Sequence, residues 1–394
     1  ETIMAVVLDE TPFYAESGGQ VGDRGWIRAA TGIFQVMDTQ RPISGLTVHF
    51  GQMIEGYLKV ESLAAPQVDV ERRDDTRRNH SATHLLHRAL KDVLGDQTQQ
   101  RGSLVAPDRL RFDFNLPRAM TDEETRDVDR LVTQWILEDY PVTTTVMPYR
   151  EAMATGAMAL FSEKYGDEVR VVTMGPSKEL CGGLHVGTTG QIGLYFTMQE
   201  ASVGSSIRRV EALTAYDAEA YLRGRNDLVT TLSARLQTKP DEVMVRIQQM
   251  QEELAQARRL LAQAQRAQAR SEADQLAGSA TDVKGVPLVV GVATSPDEKA
   301  LRELGDMVRG KIGSGVIVLG MARDGQARYI VTVDGALTTR GLHAGKIAAA
   351  LGERLGSKGG GRPDSAQGGG RIASADDLRA ILAGAHDLVE SQLA

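Results

Sequence analysis

The spacing of apolar residues changes character several times along the chain. From residue 1 to about 62, short β-type runs such as IMAVVL and LTVHF are cut by turn signals at SGGQ, VGDRG and ISG. This pattern predicts a small β-barrel or sandwich. Between 74 and 95 the period becomes helical: HSATHLLHRALKDVL sets leucines and histidines on one stripe, and Gly95 is the expected stop. LRFDFNL alternates as a strand does. TDEETRDVDRLVTQWILEDY opens with Thr121 as N-cap, carries acids in its first turn and ends before Pro141, which predicts a second helix. VRVVTMG, QIGLYFTMQEAS and SSIRRVEAL read as further strands, the first leading into a Cys-Gly-Gly loop.

The stretch from Pro240 to Ala277 differs in kind. Pro240 and Asp241 make a helix start, and Val243, Ile247, Met250, Leu254, Ala257, Leu261 and Ala264 alternate four and three apart. That seam predicts a helical hairpin or short coiled coil, a connector or dimer arm. Beyond Gly278, the β-branched runs VPLVVGVAT, GVIVLGMARD and ARYIVTVD are separated by helical patterns such as PDEKALRELGDMVRGKI, which predicts a small α/β domain. GSKGGGRPDSAQGGGR at 356 to 371 reads as a flexible glycine-rich loop or, alternatively, as backbone shaped to meet an anion or another backbone.

Composition narrows the class. At 394 residues, with 42% hydrophobic and 25% charged residues, the chain suits two or three soluble domains. One cysteine excludes a disulfide framework and suits the cytoplasm. No apolar run is long enough to span a membrane, and no signal peptide opens the chain. It begins with Glu1 on what reads as a strand under way, so a fragment of a longer protein is expected. The net charge of −7 leaves nucleic-acid binding to local basic clusters: Arg72, Arg73, Arg77 and Arg78; Arg208 and Arg209; and Lys346, Arg354, Lys358, Arg362 and Arg371.

Chemistry concentrates in two short motifs. His80 and His84 form HSATH, and Cys181 and His185 form CGGLH, so His-x3-His and Cys-x3-His lie about a hundred residues apart. Imidazole nitrogen and thiolate sulfur are the ligands zinc favours, and two histidines four apart on a helix share a face. Alone, each half also suits a packed helix face or an inert buried thiol. His87 lies one turn further along the His80/His84 face, as a supporting or surface residue. The Gly182-Gly183 pair beside Cys181 suits a sharp loop that lets backbone approach closely.

Several blocks resemble bacterial alanyl-tRNA synthetases in their C-terminal half: TPFYAESGGQVGD at 11 to 23, RNHSATHLLH at 78 to 87, TGAMALFSEKYGD at 155 to 167, ELCGGLHV at 179 to 186, SSIRRVEA at 205 to 212 and GGGRPDSAQGGG at 359 to 370. They occur in the family's order. The resemblance implies an α+β editing unit, made of a β-barrel subdomain at 1–65 and a zinc-binding deacylase domain at 66–214. It further implies a helical coiled-coil linker and dimerisation arm at 215–279 and a glycine-rich α/β C-terminal domain at 280–394 for tRNA contact and dimerisation. The ATP-using part that activates alanine would lie upstream of Glu1.

By position, the resemblance implies that His80, His84, Cys181 and His185 bind one zinc ion per chain. Thr83, Gln100 and Ser103 match positions of the editing pocket, while Arg78, Arg208, Arg209, Lys358, Arg362 and Arg371 are the candidate tRNA contacts. The implied partners are tRNA(Ala), above all when mischarged with serine or glycine, and a second copy of the chain. Leu184 stands where the family usually has threonine, so the loop lacks that hydroxyl. A pocket built for alanine excludes glycine by only ~1–3 kcal/mol and serine by about a hundredfold, which is why a second, hydrolytic site is needed. Two other readings compete: a free-standing deacylase of the same type, and a non-catalytic tRNA-binding and dimerisation module with structural zinc. A phosphodiesterase is discounted, because the chain lacks an Asp-His-His metal cluster.

Overall fold

The computed structural model describes residues 3–159 and 165–393, in two compact units, Glu1–Pro240 and Asp241–Ala394. Residues 160–164 of the TGAMALFSEKYGD block lie outside the described residues.

The first unit opens with β1 (Met4–Val6), β2 (Gly25–Ala29), β3 (Gly32–Ile43), β4 (Leu46–Gly56) and β5 (Ala64–Val68), an antiparallel sheet in the order β1-β4-β3-β2-β5. Its core is Phe13, Ile27, Phe34 and Val36. Among the described residues β1 and β5 are the sheet's ends, so the pairing is an open sheet rather than the closed ring of a barrel. Asp69 then caps α1 (Val70–Leu94), its side chain accepting from Arg72 N, and Gly95 ends it. The helix starts four residues before the apolar stripe does, because the cap rather than the stripe sets where it begins.

Strands β6 (Gln100–Val105) and β7 (Leu110–Asn115), helix α2 (Asp122–Leu137) and strand β8 (Val142–Pro148) follow, then a short helix α3 (Tyr149–Ala154). Thr121 and Glu124 form a reciprocal capping box at the start of α2. Strands β9 (Glu168–Met174) and β10 (Ser177–Leu180) make a three-stranded sheet with β8. QIGLYFTMQEAS is not one strand: a 3₁₀ turn covers Thr189–Ile192, and β11 (Tyr195–Gly204) begins after it. Strands β11 and β12 (Ile207–Thr214) complete a second sheet, β11-β12-β7-β6. Leu85, Leu86 and Leu90 of α1 join Phe112, Phe114, Val132 and Trp135 in the main core. That packing surrounds α1, so its middle is buried on every side and not along one stripe. Helix α4 (Ala215–Leu236) closes the unit.

The second unit starts with the long helix α5 (Val243–Gly278), where the heptad seam predicts one. Met250, Leu254 and Leu261 of the seam are exposed. Then come β13 (Thr281–Val283), β14 (Val286–Val292), α6 (Glu298–Ile312), β15 (Val316–Arg323), β16 (Gln326–Val333), α7 (Gly335–Thr338), α8 (Ala344–Arg354), β17 (Gly359–Gly361), β18 (Ser365–Arg371), α9 (Ala375–Ala383) and α10 (Ala385–Gln392). The sheet runs β13-β14-β15-β16-β18-β17, and only β14 and β15 pair in parallel, the pair that α6 connects.

The glycine-rich segment is not a flexible loop: β17 and β18 pair as a hairpin, with Gly359 opposite Gly368 and Gly361 opposite Ala366. A Cβ at Gly359 would sit 2.2 Å from Ala348 O, and one at Gly368 would sit 2.1 Å from Tyr329 Oη. These glycines admit neighbouring groups at close range rather than loosening the chain. Among the described residues no helix is long and apolar enough to cross a membrane.

Candidate metal centre and adjoining cavity

Two distant pieces of chain meet at one point in the first unit. Helix α1 presents His80 and His84 one turn apart, and the loop after β10 brings Cys181 and His185 over them. One ligand atom from each of the four residues lies within 4.8 Å of the others. Cys181 Sγ is 3.4 Å from Nε2 of His80 and 3.4 Å from Nε2 of His185. A tetrahedron with arms of ~2.1 Å has edges of about 3.4 Å, so these two spacings match the edges of a tetrahedral metal site.

Each imidazole is turned inward by a group behind it. His80 Nδ1 donates to Gln20 Oε1 at 2.7 Å, and His84 Nδ1 donates to Glu179 Oε2 at 2.7 Å. Ser81 Oγ donates to Arg77 O, so at 3.3 Å it serves as the acceptor for His185 Nδ1. In the neutral form each ring is therefore held with its proton on Nδ1 and Nε2 turned toward the shared centre, where a cation would take the place of any proton. His84 Nε2 is buried with no hydrogen-bond partner. An orphaned, buried nitrogen beside a thiol and two further imidazoles fits a metal cation of zinc's preferences.

Without a metal, the buried thiol and His84 share charge as an ion pair. Burial opposes ionisation of Cys181, but the His80 and His84 imidazoles outweigh it and hold the thiol well below its usual range. Gly183 N adds a hydrogen bond to the sulfur at 3.3 Å. Burial also opposes a charge on His84, yet Glu179 and Cys181 raise its pKa to about 10. Burial, reinforced by His80, lowers that of His185 to about 3. Glu179 itself is held below the carboxylate range: burial works against its charge, and His84 and His87 overcome that.

The loop geometry explains the glycines. A Cβ on Gly183 would lie 2.0 Å from His80 Cε1, whereas one on Gly182 would meet nothing within 4 Å. Arg170 Nη1 donates to the carbonyls of Cys181 and Gly183, both at 2.8 Å, which braces the turn from β9. Leu184 offers its backbone N–H to Gln20 Oε1 at 2.9 Å, and its side chain is not among the residues lining the adjoining cavity.

That cavity measures about 100 Å³ and has Thr83, Gln100 and Ser103 in its wall together with His80, His84 and Cys181. Thr83 Oγ1 donates to Asn79 O at 2.8 Å, which leaves its lone pairs free to accept. His87 is not a surface residue: it is buried and donates from Nδ1 to Glu179 Oε1 at 3.0 Å, outside the four-residue cluster.

The basic candidates fare differently. Arg208 is paired in a fork with Glu200, and Arg209 with Asp113 at 2.6 and 2.8 Å. Arg78 bonds Asp75 and Gln191 O. In the second unit Lys358, Arg362 and Arg371 are exposed around the β17–β18 hairpin, Arg362 with Asp364 3.5 Å away. Sequence reasoning passed over two residues of the site, Gln20 and Glu179. Gln20 lies in the SGGQ turn and Glu179 two positions before Cys181, but a lone glutamine or glutamate carries no local mark of what it will face.

Comparisons with known proteins identify relatives of the chain. Residues 2–72 match the family described as tRNA synthetases class II (A), residues 169–211 the threonyl and alanyl tRNA synthetase second additional domain, and residues 285–391 the DHHA1 domain. An alanine–tRNA ligase of Chloroflexus aurantiacus is 42% identical over 98% of this chain and 44% of its own length. One from Dehalococcoides mccartyi is 44% identical over 93% of this chain and 42% of its own length. The crystal structure of the C-Ala domain from Aquifex aeolicus alanyl-tRNA synthetase is similar to 27% of this chain over 99% of its own, at 26% identity and a TM-score of 0.23. The chain spans less than half the length of the curated relatives it matches, and over that span it belongs to the alanine–tRNA ligase family.

Proposed function

We propose that this chain is the proofreading part of an alanine–tRNA ligase, hydrolysing the ester of tRNA(Ala) mischarged with serine or glycine. The observation that carries this reading is the junction of a His₃Cys cluster with a small polar cavity walled by Thr83, Gln100 and Ser103. At about 100 Å³ the cavity is well below the ~300–1,000 Å³ of drug-sized sites, and suits a small aminoacyl group.

His80, His84, Cys181 and His185 would hold one zinc ion, which when bound supplies positive charge to fix the pocket and orient the aminoacyl end. Four protein ligands complete a tetrahedral set, which favours this positioning role over water activation. Thr83 and Gln100 select by accepting from and donating to the serine hydroxyl. Polar groups that alanine's methyl would leave unpaired give a discrimination on the order of 10⁴-fold. The ester is already activated, so holding it beside polar groups of the wall supplies most of what hydrolysis requires. Ligation of alanine with ATP belongs, in this reading, to a longer parent protein. Contact with the tRNA body falls to Lys358, Arg362 and Arg371, with Arg78 nearer the site, and Arg208 and Arg209 serve only if they leave their carboxylates. Helix α5 and the C-terminal domain would form the homodimer, and the enzyme would work in the cytoplasm.

The test is deacylation of Ser-, Gly- and Ala-tRNA(Ala) by this chain and by Cys181→Ala. Rapid loss of serine but not alanine, abolished in the variant, supports the reading. Zinc uptake without any hydrolysis would favour the binding and dimerisation module instead.

A further inference from the structure

Gln20 is solvent-inaccessible, yet it comes from the N-terminal sheet region and not from either ligand motif. The turn that carries it is pinned on two sides. Gln20 N donates to Ser17 O at 3.0 Å, and Ser17 N donates back to Gln20 O at 3.2 Å. On either side of Gln20, Val21 N donates to Val105 O at 3.0 Å and Val105 N donates to Gly19 O at 2.7 Å, so the turn is stitched to β6.

Its side chain spans both halves of the ligand set. One oxygen, Oε1, accepts from His80 Nδ1 on α1 at 2.7 Å and from Leu184 N in the Cys-x3-His loop at 2.9 Å. The Leu184 backbone N–H can only donate, so it fixes the amide orientation: the flipped amide would set its NH₂ against that N–H. An amide oxygen only accepts, so His80 must carry its proton on Nδ1, and Nε2 is left facing the sulfur. The amide nitrogen of Gln20 is buried without a partner. The oxygen of Gln20 is thus used twice, at the cost of an unmatched donor.

We propose that Gln20 is a positioning residue for the metal centre: its side-chain carbonyl sets the His80 tautomer and ties the Cys181–His185 loop to α1. This rests on the reading of the cluster as a zinc site. It makes the N-terminal sheet region a working part of that site rather than a neighbour.

The experiment compares zinc affinity of the full chain by competition with a chromophoric chelator in wild type, Gln20→Met and Gln20→Glu. ¹⁵N NMR of the histidine rings before zinc is added accompanies it. Gln20→Met, which keeps length but loses the acceptor, is expected to bind zinc about 10–100-fold more weakly and to lose the single Nδ1–H tautomer of His80. Gln20→Glu keeps an acceptor and is expected to recover both. Unchanged affinity in Gln20→Met would overturn the proposal, as would equal weakening in both variants, which would mean packing alone. If wild type takes up no zinc, the metal reading itself fails, and that outcome is distinct from the other two.

Discussion

Glu179 grips His84 and His87 with its two carboxylate oxygens, at 2.7 and 3.0 Å, from two positions before the cysteine of the cluster. The carboxylate fixes His84 with Nδ1 protonated and raises the basicity of the opposite nitrogen, the orphaned one. Glu179→Gln should therefore lower zinc affinity, by about tenfold or more, without touching a ligand. Metal retention against graded chelator measures this. Retention equal to wild type would mean that ligand packing alone orients His84.

The two adjacent glycines of the loop should behave oppositely. Gly183→Ala drives a methyl group into His80, 2.0 Å from Cε1, and should abolish tight zinc binding and lower the unfolding temperature. Gly182→Ala has open space and should leave both close to wild type. Zinc content after gel filtration of the two variants decides it, and equal behaviour would contradict the loop geometry.

At the start of α2 the capping box predicts a modest, separable effect. Thr121 accepts from Glu124 N at 3.1 Å while Glu124 Oε2 accepts from Thr121 N at 2.8 Å. Thr121→Ala should cost ~1 kcal/mol in denaturant unfolding of the first unit. The Glu124 carboxyl is lowered to about 2 from the ordinary 4.5, chiefly by Arg118 and the Thr121 backbone. A depressed folded pKa means the contribution is complete above about 4.5 and disappears as pH falls through about 2. Because the pair lies at the surface, solvent and salt screen it, and the acid-side difference between wild type and Glu124→Gln should be small.

In the second unit, Tyr329 Oη donates to Ala348 O at 2.6 Å and occupies the space a side chain on Gly368 would need. Tyr329→Phe should cost about 1 kcal/mol through the lost bond. Gly368→Ala should cost more, ~1–3 kcal/mol, because the strands would have to part. Unfolding of the two variants checks the order, and a harmless Gly368→Ala would argue against the tight hairpin. Burial raises the tyrosine pKa to about 12, so the bond's contribution persists below pH 10 and is lost as pH rises through about 12.

Much of the local architecture is legible in the sequence because it depends on neighbours a few residues away. Thr121 with Glu124 and Gly95 after the last turn of α1 are satisfied within single turns of helix, and the seam from Val243 onward follows the helical period, so spacing suffices to read them. The i, i+4 placement of His80 and His84 belongs to this class, as does the return of Cys181 and His185 in one short loop.

Other features needed the tertiary structure, because their partners lie far along the chain. That the two motifs converge depends on the packing of β10 and its loop against α1, and Gln20 and Glu179 acquire their roles only there. The glycines at 359 to 370 read as loop when alone, yet the hairpin needs them because Tyr329 and Ala348 press against it. Arg208 and Arg209 read as free cations until β12 pairs with β11 and β7 and sets Glu200 and Asp113 beside them. The sequence by itself determined the capped helices and which side chains can ligate a metal, since hydrogen bonding within a turn is local. Tertiary packing decided which groups face one another, because long-range pairs are selected by shape and burial and not by spacing.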